Sequence, residues 1–295
     1  MRSLSVSLAL TTVACLAGCA TQLPEAPPEQ SVSLSFALVA GEQPLRCGAA
    51  FGPLGRDQKR VSLRDARFYV QDVALIDDTG KPVPLRLQVN DWQDAKVALL
   101  DFEDGSGHCV GGTPATNTQV IGSVPAGHYR GVSLTLGVSP SLNHTSTELQ
   151  GAPLDLAAMG WSWQAGRKFI KLELDPEGGV SKADGSRANT WYLHLGSTGC
   201  TGNPVTGDTV ACLRANRIPL RLEGFDPATQ AVALDVASLF RDSRLAVDEG
   251  AALGCMSGPT DPECVAVFKR LGLSLSSGLP LEPGYCPAFS ARPKP

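Results

Sequence analysis

Charge is scarce in this chain and its two signs nearly cancel. Asp, Glu, Lys and Arg make up 18% of the residues against 43% hydrophobic, and the net charge is -4. That is too little charge for a disordered segment and enough apolar content for a sizeable core. A chain with a slight acidic excess has no electrostatic footprint for nucleic acid. No HExxH, GxSxG or Walker sequence occurs, so zincins, serine hydrolases and P-loop nucleotide enzymes find no support. No CxxC pair occurs either, which argues against a zinc ribbon and a thioredoxin-type dithiol. Histidine (4), methionine (3) and tryptophan (4) are all sparse, so where they fall carries information.

The N-terminus sets the expected compartment. Arg2 precedes an apolar run from Leu4 to Val13 that is too short to span a bilayer and has the shape of a secretory signal. The segment closes on Leu16-Ala17-Gly18-Cys19, which resembles a bacterial lipobox; Cys19 would then be lipidated as the first mature residue. Ala20 in place of Asp favours, by analogy with such lipoproteins, the outer membrane. Residues 20–31 are rich in Pro and Glu and read as an extended tether. The expectation is a body in the periplasm, held to the membrane by lipid alone.

An oxidising compartment suits the cysteines. Of nine, Cys15 and Cys19 belong to the leader, leaving seven. Cys200 with Cys212 and Cys255 with Cys264 each bracket a short loop, and Cys47 with Cys109 would close a longer one. Spacing alone leaves other pairings open. Seven is odd, and Cys286 is the thiol this scheme leaves over.

The remaining body, roughly 265 residues, reads as strand after strand. Val32 to Val39, Arg67 to Ile76, Val83 to Val89, Lys96 to Phe102, Thr118 to Val124 and Tyr129 to Val138 carry strand patterns. Lys168 to Leu174, Trp191 to Leu195, Arg217 to Leu222 and Ala231 to Val236 follow, with 31 Gly and 22 Pro supplying turns. The fold class expected is mainly β, an antiparallel sandwich. A helix is expected over Cys264 to Leu271, where Val265, Phe268 and Leu271 share a face. The expected organisation is a leader to 19, a tether over 20–31, a β-domain over 32–240 and a Cys-containing extension over 241–295.

One constellation stands out. Met159 precedes Trp161-Ser162-Trp163, and two histidines flank the pair in sequence, in Leu142-Asn143-His144 and Trp191-Tyr192-Leu193-His194-Leu195. A thioether and two imidazoles suit soft copper(I), whereas hard cations want carboxylates. Trp161 and Trp163 would project from one face of a strand. Paired aromatics at period two are also half of a sandwich core, and both readings stand. Trp92 and Trp191 read as core. His108, beside Cys109, reads as a turn residue or a ligand, and His128 as an exposed turn residue. The run Asp101-Phe102-Glu103-Asp104-Gly105 hints at calcium but misses the spacing of an EF-hand loop.

Several ordered motifs carry a resemblance. They are Asp65-Ala66-Arg67-Phe68-Tyr69-Val70-Gln71-Asp72-Val73, Val97 to Gly105, Gly112-Thr113 with Thr116-Asn117, and Val124-Pro125-Ala126-Gly127. Then come Leu142-Asn143-His144, Met159 to Trp163, and His194-Leu195-Gly196-Ser197-Thr198-Gly199-Cys200. In this order the chain resembles the MbnP-like proteins, also called metallo-mystery-pair four-Cys proteins, and Cys255 to Cys264 looks like a further segment of that family. The resemblance implies a periplasmic copper(I) protein of copper uptake, storage or delivery, itself no enzyme. It also implies a partner of the diheme cytochrome c peroxidase/MauG type that oxidises the first Trp of the WxW motif, here Trp161, to kynurenine. His144, His194, oxidised Trp161 and either Met159 or Met256 are then the implied ligands, with Trp163 as an electron relay or a packing residue. The chemistry is coherent, because an indole offers one N–H donor and no lone pair for a metal, whereas the opened ring offers an aromatic amine and a ketone. Readings of other classes are a copper redox protein or electron carrier, and a metal-free, disulfide-stapled lipoprotein that binds a protein or glycan through its Trp pair.

Overall fold

The computed structural model describes residues 28–162, 166–203, 206, 208 and 210–294. The expected leader with Cys19, most of the tether, and Trp163 therefore lie outside the described residues. Two sheets make the body. The larger is organised by one 19-residue strand, Lys59–Asp77, which has partners along both edges. Ile170–Pro176 and Tyr129–Leu136 run antiparallel to one edge in succession, and Ala50–Leu54, Val97–Asp101 and Pro82–Pro84 to the other. Trp191–Leu195 and Ile218–Glu223 close the sheet at its two sides. The long strand bends at a bulge by Asp72, whose backbone takes φ +52°, a conformation Asp tolerates better than most side chains.

The smaller sheet places Phe289–Pro293, Gln230–Asp235, Glu29–Ala40, Gln119–Pro125 and Arg86–Leu87 side by side. Glu29–Ala40 pairs antiparallel with Gln119–Pro125 and parallel with Gln230–Asp235, so this sheet is mixed although most ladders are antiparallel. The sheets meet through aromatic rings: Phe68 of the larger sheet lies 6.1 Å from Phe36 and 6.0 Å from Phe289, both edge-on. Between the two register shifts of Lys59–Asp77, alternation assigns Ala66, Phe68 and Val70 to this core, and beyond the shifts Val61, Leu63, Val73 and Leu75 join it. In that central stretch the odd-numbered side points away from the second sheet and is nevertheless buried, with Asp65, Arg67, Tyr69 and Gln71 all at 3% exposure or less. Burial on both faces explains why Arg67 to Ile76 does not show a plain two-residue alternation.

The expected strands are present with shifted ends, and Val83 to Val89 is split into Pro82–Pro84 and Arg86–Leu87. The helix spans Pro262–Arg270, capped by Asp261, whose carboxylate accepts the Glu263 amide at 3.0 Å. The stretch after residue 240 is woven into the body. Phe289–Pro293 is the edge strand of the smaller sheet, and Cys255 bridges to Leu193 of the larger one. That edge strand reads weakly in sequence because it carries Arg and Pro, as edges do. The disulfides are Cys47–Cys109, Cys200–Cys212 and Cys255–Cys264, and Cys286 is free. Burial pushes the Cys286 thiol up to about 12, which leaves it protonated and inert at neutral pH.

Asp261 and Glu263 also form a buried carboxyl pair. Desolvation, with Asp261 and Asp248 nearby, raises Glu263 from 4.5 to about 8, against the opposing Glu249 amide. The folded chain thus keeps a proton that the unfolded chain releases, so this group's contribution to stability is present below about pH 4.5 and declines as pH rises towards 8. Asp101, raised to about 7 by burial, acts with the same sign. Urea unfolding at pH 5 and pH 8 should show the wild type losing stability between them, and Glu263→Gln should flatten that loss. An equal loss in the variant would remove Glu263 as its source.

Candidate metal centre

The outward face of the larger sheet carries two rows of polar side chains. Register partners share a face, so Asp101, Arg67, Lys171 and His194 form one row across four strands. Asp65, Glu173 and Tyr192 form the next. Opposite charges face each other between the rows. Arg67 grips Asp65 through two nitrogens and approaches Glu103 at 3.3 Å, and Lys171 joins Asp65 to Glu173. Buried charge is tolerated here because each group faces an opposite one. Asp101 and Glu103, which hinted at calcium in sequence, face Arg67 in this layer.

The layer ends on His194. Glu173 Oε1 lies 2.8 Å from His194 Nε2. Desolvation lowers the imidazole's pKa, only partly offset by the bond to Glu173, so the ring is neutral at pH 7. Glu173 is itself held below its ordinary value: burial opposes this, but His194 and Lys171 prevail. A neutral ring next to an ionised carboxylate donates from Nε2, which leaves the Nδ1 lone pair free to coordinate. Nδ1 is buried and has no hydrogen-bond partner among the described residues. A carboxylate behind one ring nitrogen and an open lone pair on the other is the arrangement that metal-binding histidines use.

A cover formed by residues 137–162 and 166–169 lies on this face, tied down where Tyr69 Oη donates to Pro153 O at 2.9 Å. Its organiser is Arg167, which is 1% exposed. The guanidinium donates to Leu142 O (2.5 Å), Asn143 O (3.1 Å), Thr145 Oγ1 (3.2 Å) and Leu154 O (2.9 Å). The Arg167 amide donates to Asn143 Oδ1 at 2.8 Å, which turns the Asn143 amide nitrogen to His144 Nε2, 3.1 Å away. The position before it must be Gly166, because a Cβ there would fall 2.6 Å from the Asn143 side chain. His144 is 6% exposed, and its Nε2 also lies 3.3 Å from Cys212 Sγ.

Trp161 sits in the short hairpin Gly160–Ser162 with Gly166–Arg167. It is half-buried and outside the core, and its ring meets His194 edge-on with centroids 6.1 Å apart. Gly196 makes room: a Cβ there would stand 2.9 Å from Trp161 Cζ3 and 2.8 Å from Arg167 O. Lys168 fastens the corner before Trp161 by donating to Ala158 O (3.0 Å) and Gly160 O (2.9 Å).

The two methionines diverge. Met159 is fully buried and packs with the hydrophobic core. Met256 is half-buried and follows Cys255, which pairs in parallel with Leu193, so its register neighbour is His194. Ser257 locks this alignment by donating to His194 O at 2.9 Å and accepting from Gly196 N at 3.1 Å. His108 is an exposed partner of Asp175 and His128 an exposed turn residue. Trp191 is fully buried and Trp92 packs against the core. Sequence reasoning missed Glu173, Arg167 and Asn143. Lys171 and Glu173 lie on one face of a clearly alternating strand, but an alternating charged face ordinarily means solvent, and here it means the buried layer.

Among the described residues, the one cluster of three His, Cys or carboxylate donors within 4.8 Å is His144, Cys200 and Cys212. The two sulfurs are bonded to each other, so in the oxidised protein they are no thiolate pair. The fold and this site define a disulfide-stapled β-sandwich with an imidazole–indole cluster on the covered face of its larger sheet. The chain belongs to the MbnP family, whose sequence profile matches residues 29–257. The solved structure of MbnP from Methylosinus trichosporium is similar, with 43% sequence identity and a TM-score of 0.84, over 90% of this chain and 99% of that one. No curated protein matches.

Proposed function

We propose that this protein binds copper(I) for uptake, storage or delivery, and that Trp161 becomes a ligand after oxidation to kynurenine. The observation that carries the reading is His194, whose Nε2 is engaged by Glu173 while its buried Nδ1 faces no described partner. Trp161 stands edge-on to that ring and His144 is held in the same cover. The donor types suit a soft cation. On this reading the imidazoles of His144 and His194, the amine or ketone of oxidised Trp161 and the Met256 thioether hold the ion. Arg167 and Asn143 orient His144, Glu173 fixes the His194 tautomer, and the cover limits water.

Conversion of Trp161 replaces one carbon by one oxygen overall and needs an external oxidant, assigned here to a diheme cytochrome c peroxidase/MauG-like partner. The half-exposure of Trp161 supports electron removal by a separate protein. Trp163, outside the described residues, is on this reading a relay or a packing residue. The protein itself is then a substrate of that partner and not a catalyst, lipid-anchored in the periplasm through Cys19. Peptide mass mapping over Leu154 to Lys168 on protein from its native host, with copper quantified in the same sample, tests the whole reading. Oxidised Trp161 together with stoichiometric copper is expected. Intact Trp161 without copper would overturn it.

The choice of thioether has its own test. Met256→Leu should weaken copper(I) by about tenfold or more, ~1.4 kcal/mol, while Met159→Leu should leave affinity unchanged and cost under about 1.5 kcal/mol of stability. A chelator competition for affinity and a urea titration for stability separate the two. The reverse pattern would move the ligand into the core.

A further inference from the structure

We propose that the Cys200–Cys212 disulfide is a latent metal site: once it is reduced, its two thiolates and His144 take a thiophilic d10 cation. A ring nitrogen of His144 and both sulfurs lie within 4.8 Å of one another, and Cys212 Sγ is 3.3 Å from Nε2. An imidazole with two thiolates is a donor set for zinc(II) or copper(I), and water can complete the shell. The proposal rests on the placement of His144 and not on the copper reading of His194 and Trp161.

Three observations carry it. Cys200 and Cys212 are half-buried, whereas the cysteines of the other two disulfides are all buried, so this is the bond a reductant can reach. Opening it leaves the sulfurs together, because Cys200 and Cys212 are register partners in a hairpin with further pairs at Thr198–Arg214 and Thr201–Ala211. His144 is positioned by Asn143 and Arg167, which do not depend on that bond. The three ligand residues are therefore held together before any metal arrives, and metal entry replaces the Asn143 Nδ2 contact, 3.1 Å from the same Nε2.

The switching step is thiol–disulfide exchange with a dithiol donor. Two electrons and two protons pass to the cystine, giving Cys200 and Cys212 thiols and a disulfide on the donor. Metal binding then releases both thiol protons.

The test uses the full chain, reduced anaerobically with dithiothreitol, freed of reductant and mapped by alkylation. Cobalt(II) is expected to give thiolate charge-transfer absorption saturating at one equivalent, with none in the oxidised protein. The signal should vanish in Cys212→Ser, persist in His194→Ala, and show at least tenfold weaker binding in His144→Ala. Should His144→Ala fail to fold, His144→Gln replaces it, with circular dichroism as the check. Zinc(II) and copper(I) should each displace the cobalt. No signal once Cys200 and Cys212 are open, a signal that survives Cys212→Ser, an affinity indifferent to His144, or a bond that resists reduction in the folded protein would each overturn the proposal.

Discussion

Replacing Arg167 by Ala should cost about 3–5 kcal/mol of stability, the range for dismantling a buried hydrogen-bonded group. Among the described residues Arg167 has no carboxylate partner within ion-pair distance. Its fork instead satisfies three backbone carbonyls and the Thr145 hydroxyl, all inside the cover. Burial lowers the guanidinium's pKa without neutralising it, so a full charge is stabilised here by peptide dipoles. Truncation leaves those acceptors dry and unpaired, at about 1–3 kcal/mol each before relaxation. The melting temperature should then fall by roughly 6–20 °C for a body of this size. Arg167→Lys should recover only part of the loss, since one ammonium cannot span the same acceptors. Urea unfolding measures the stability change. A variant within about 1 kcal/mol of wild type would show that the cover does not depend on this residue.

Glu173→Gln should weaken copper(I) binding by about 10–100-fold, as loss of a carboxylate behind a metal-binding histidine does. The amide keeps the shape but no longer selects the Nε2–H tautomer of His194, so the Nδ1 lone pair is not held ready. Lys171 loses one of its two carboxylates at the same time and keeps Asp65. Copper competition at fixed pH reads the first effect, and an imidazole NMR titration reads the tautomer. The His194 pKa should fall further, because the bond to Glu173 supports the charged ring. Unchanged affinity would mean that His194 is oriented by its backbone and Trp161 alone.

The strands were legible where each had one dry and one wet face, as in Glu29–Ala40 and Tyr129–Leu136. Alternation loses its meaning on the Lys59–Asp77 strand, whose second face is roofed by a distant cover, so neither the strand's full length nor its central position could be read from period. The site was legible as a list of unusual residues in order, from His144 through Trp161 to His194. Their support was not. Arg167 and Glu173 are ordinary charged residues in sequence, and only tertiary burial turns one into a hub of carbonyl contacts and the other into the fixer of a ring. Trp161 also shows the limit of pattern, since an aromatic pair at period two suggested core, and the half-buried ring lies against His194 instead. The choice between Met159 and Met256 was open for the same reason. Nearness in sequence favoured the first, and a parallel bridge nearly a hundred residues downstream puts the second beside His194.

The parallel ladder between Glu29–Ala40 and Gln230–Asp235 constrains how the chain acquires its structure. Glu29–Ala40 meets Gln230–Asp235 only some two hundred residues further along the chain, and the far edge of that neighbour is covered by Phe289–Pro293, later still. Such long-range pairing slows folding, because loop closure precedes any contact that rewards it. Glu29–Ala40 can pair early along one edge with Gln119–Pro125, while its other edge, apolar on one face, stays open until Gln230–Asp235 is made. Loss of Phe289–Pro293 would uncover Gln230–Asp235 and leave an open edge prone to self-association. The smaller sheet is thus completed from the late part of the chain.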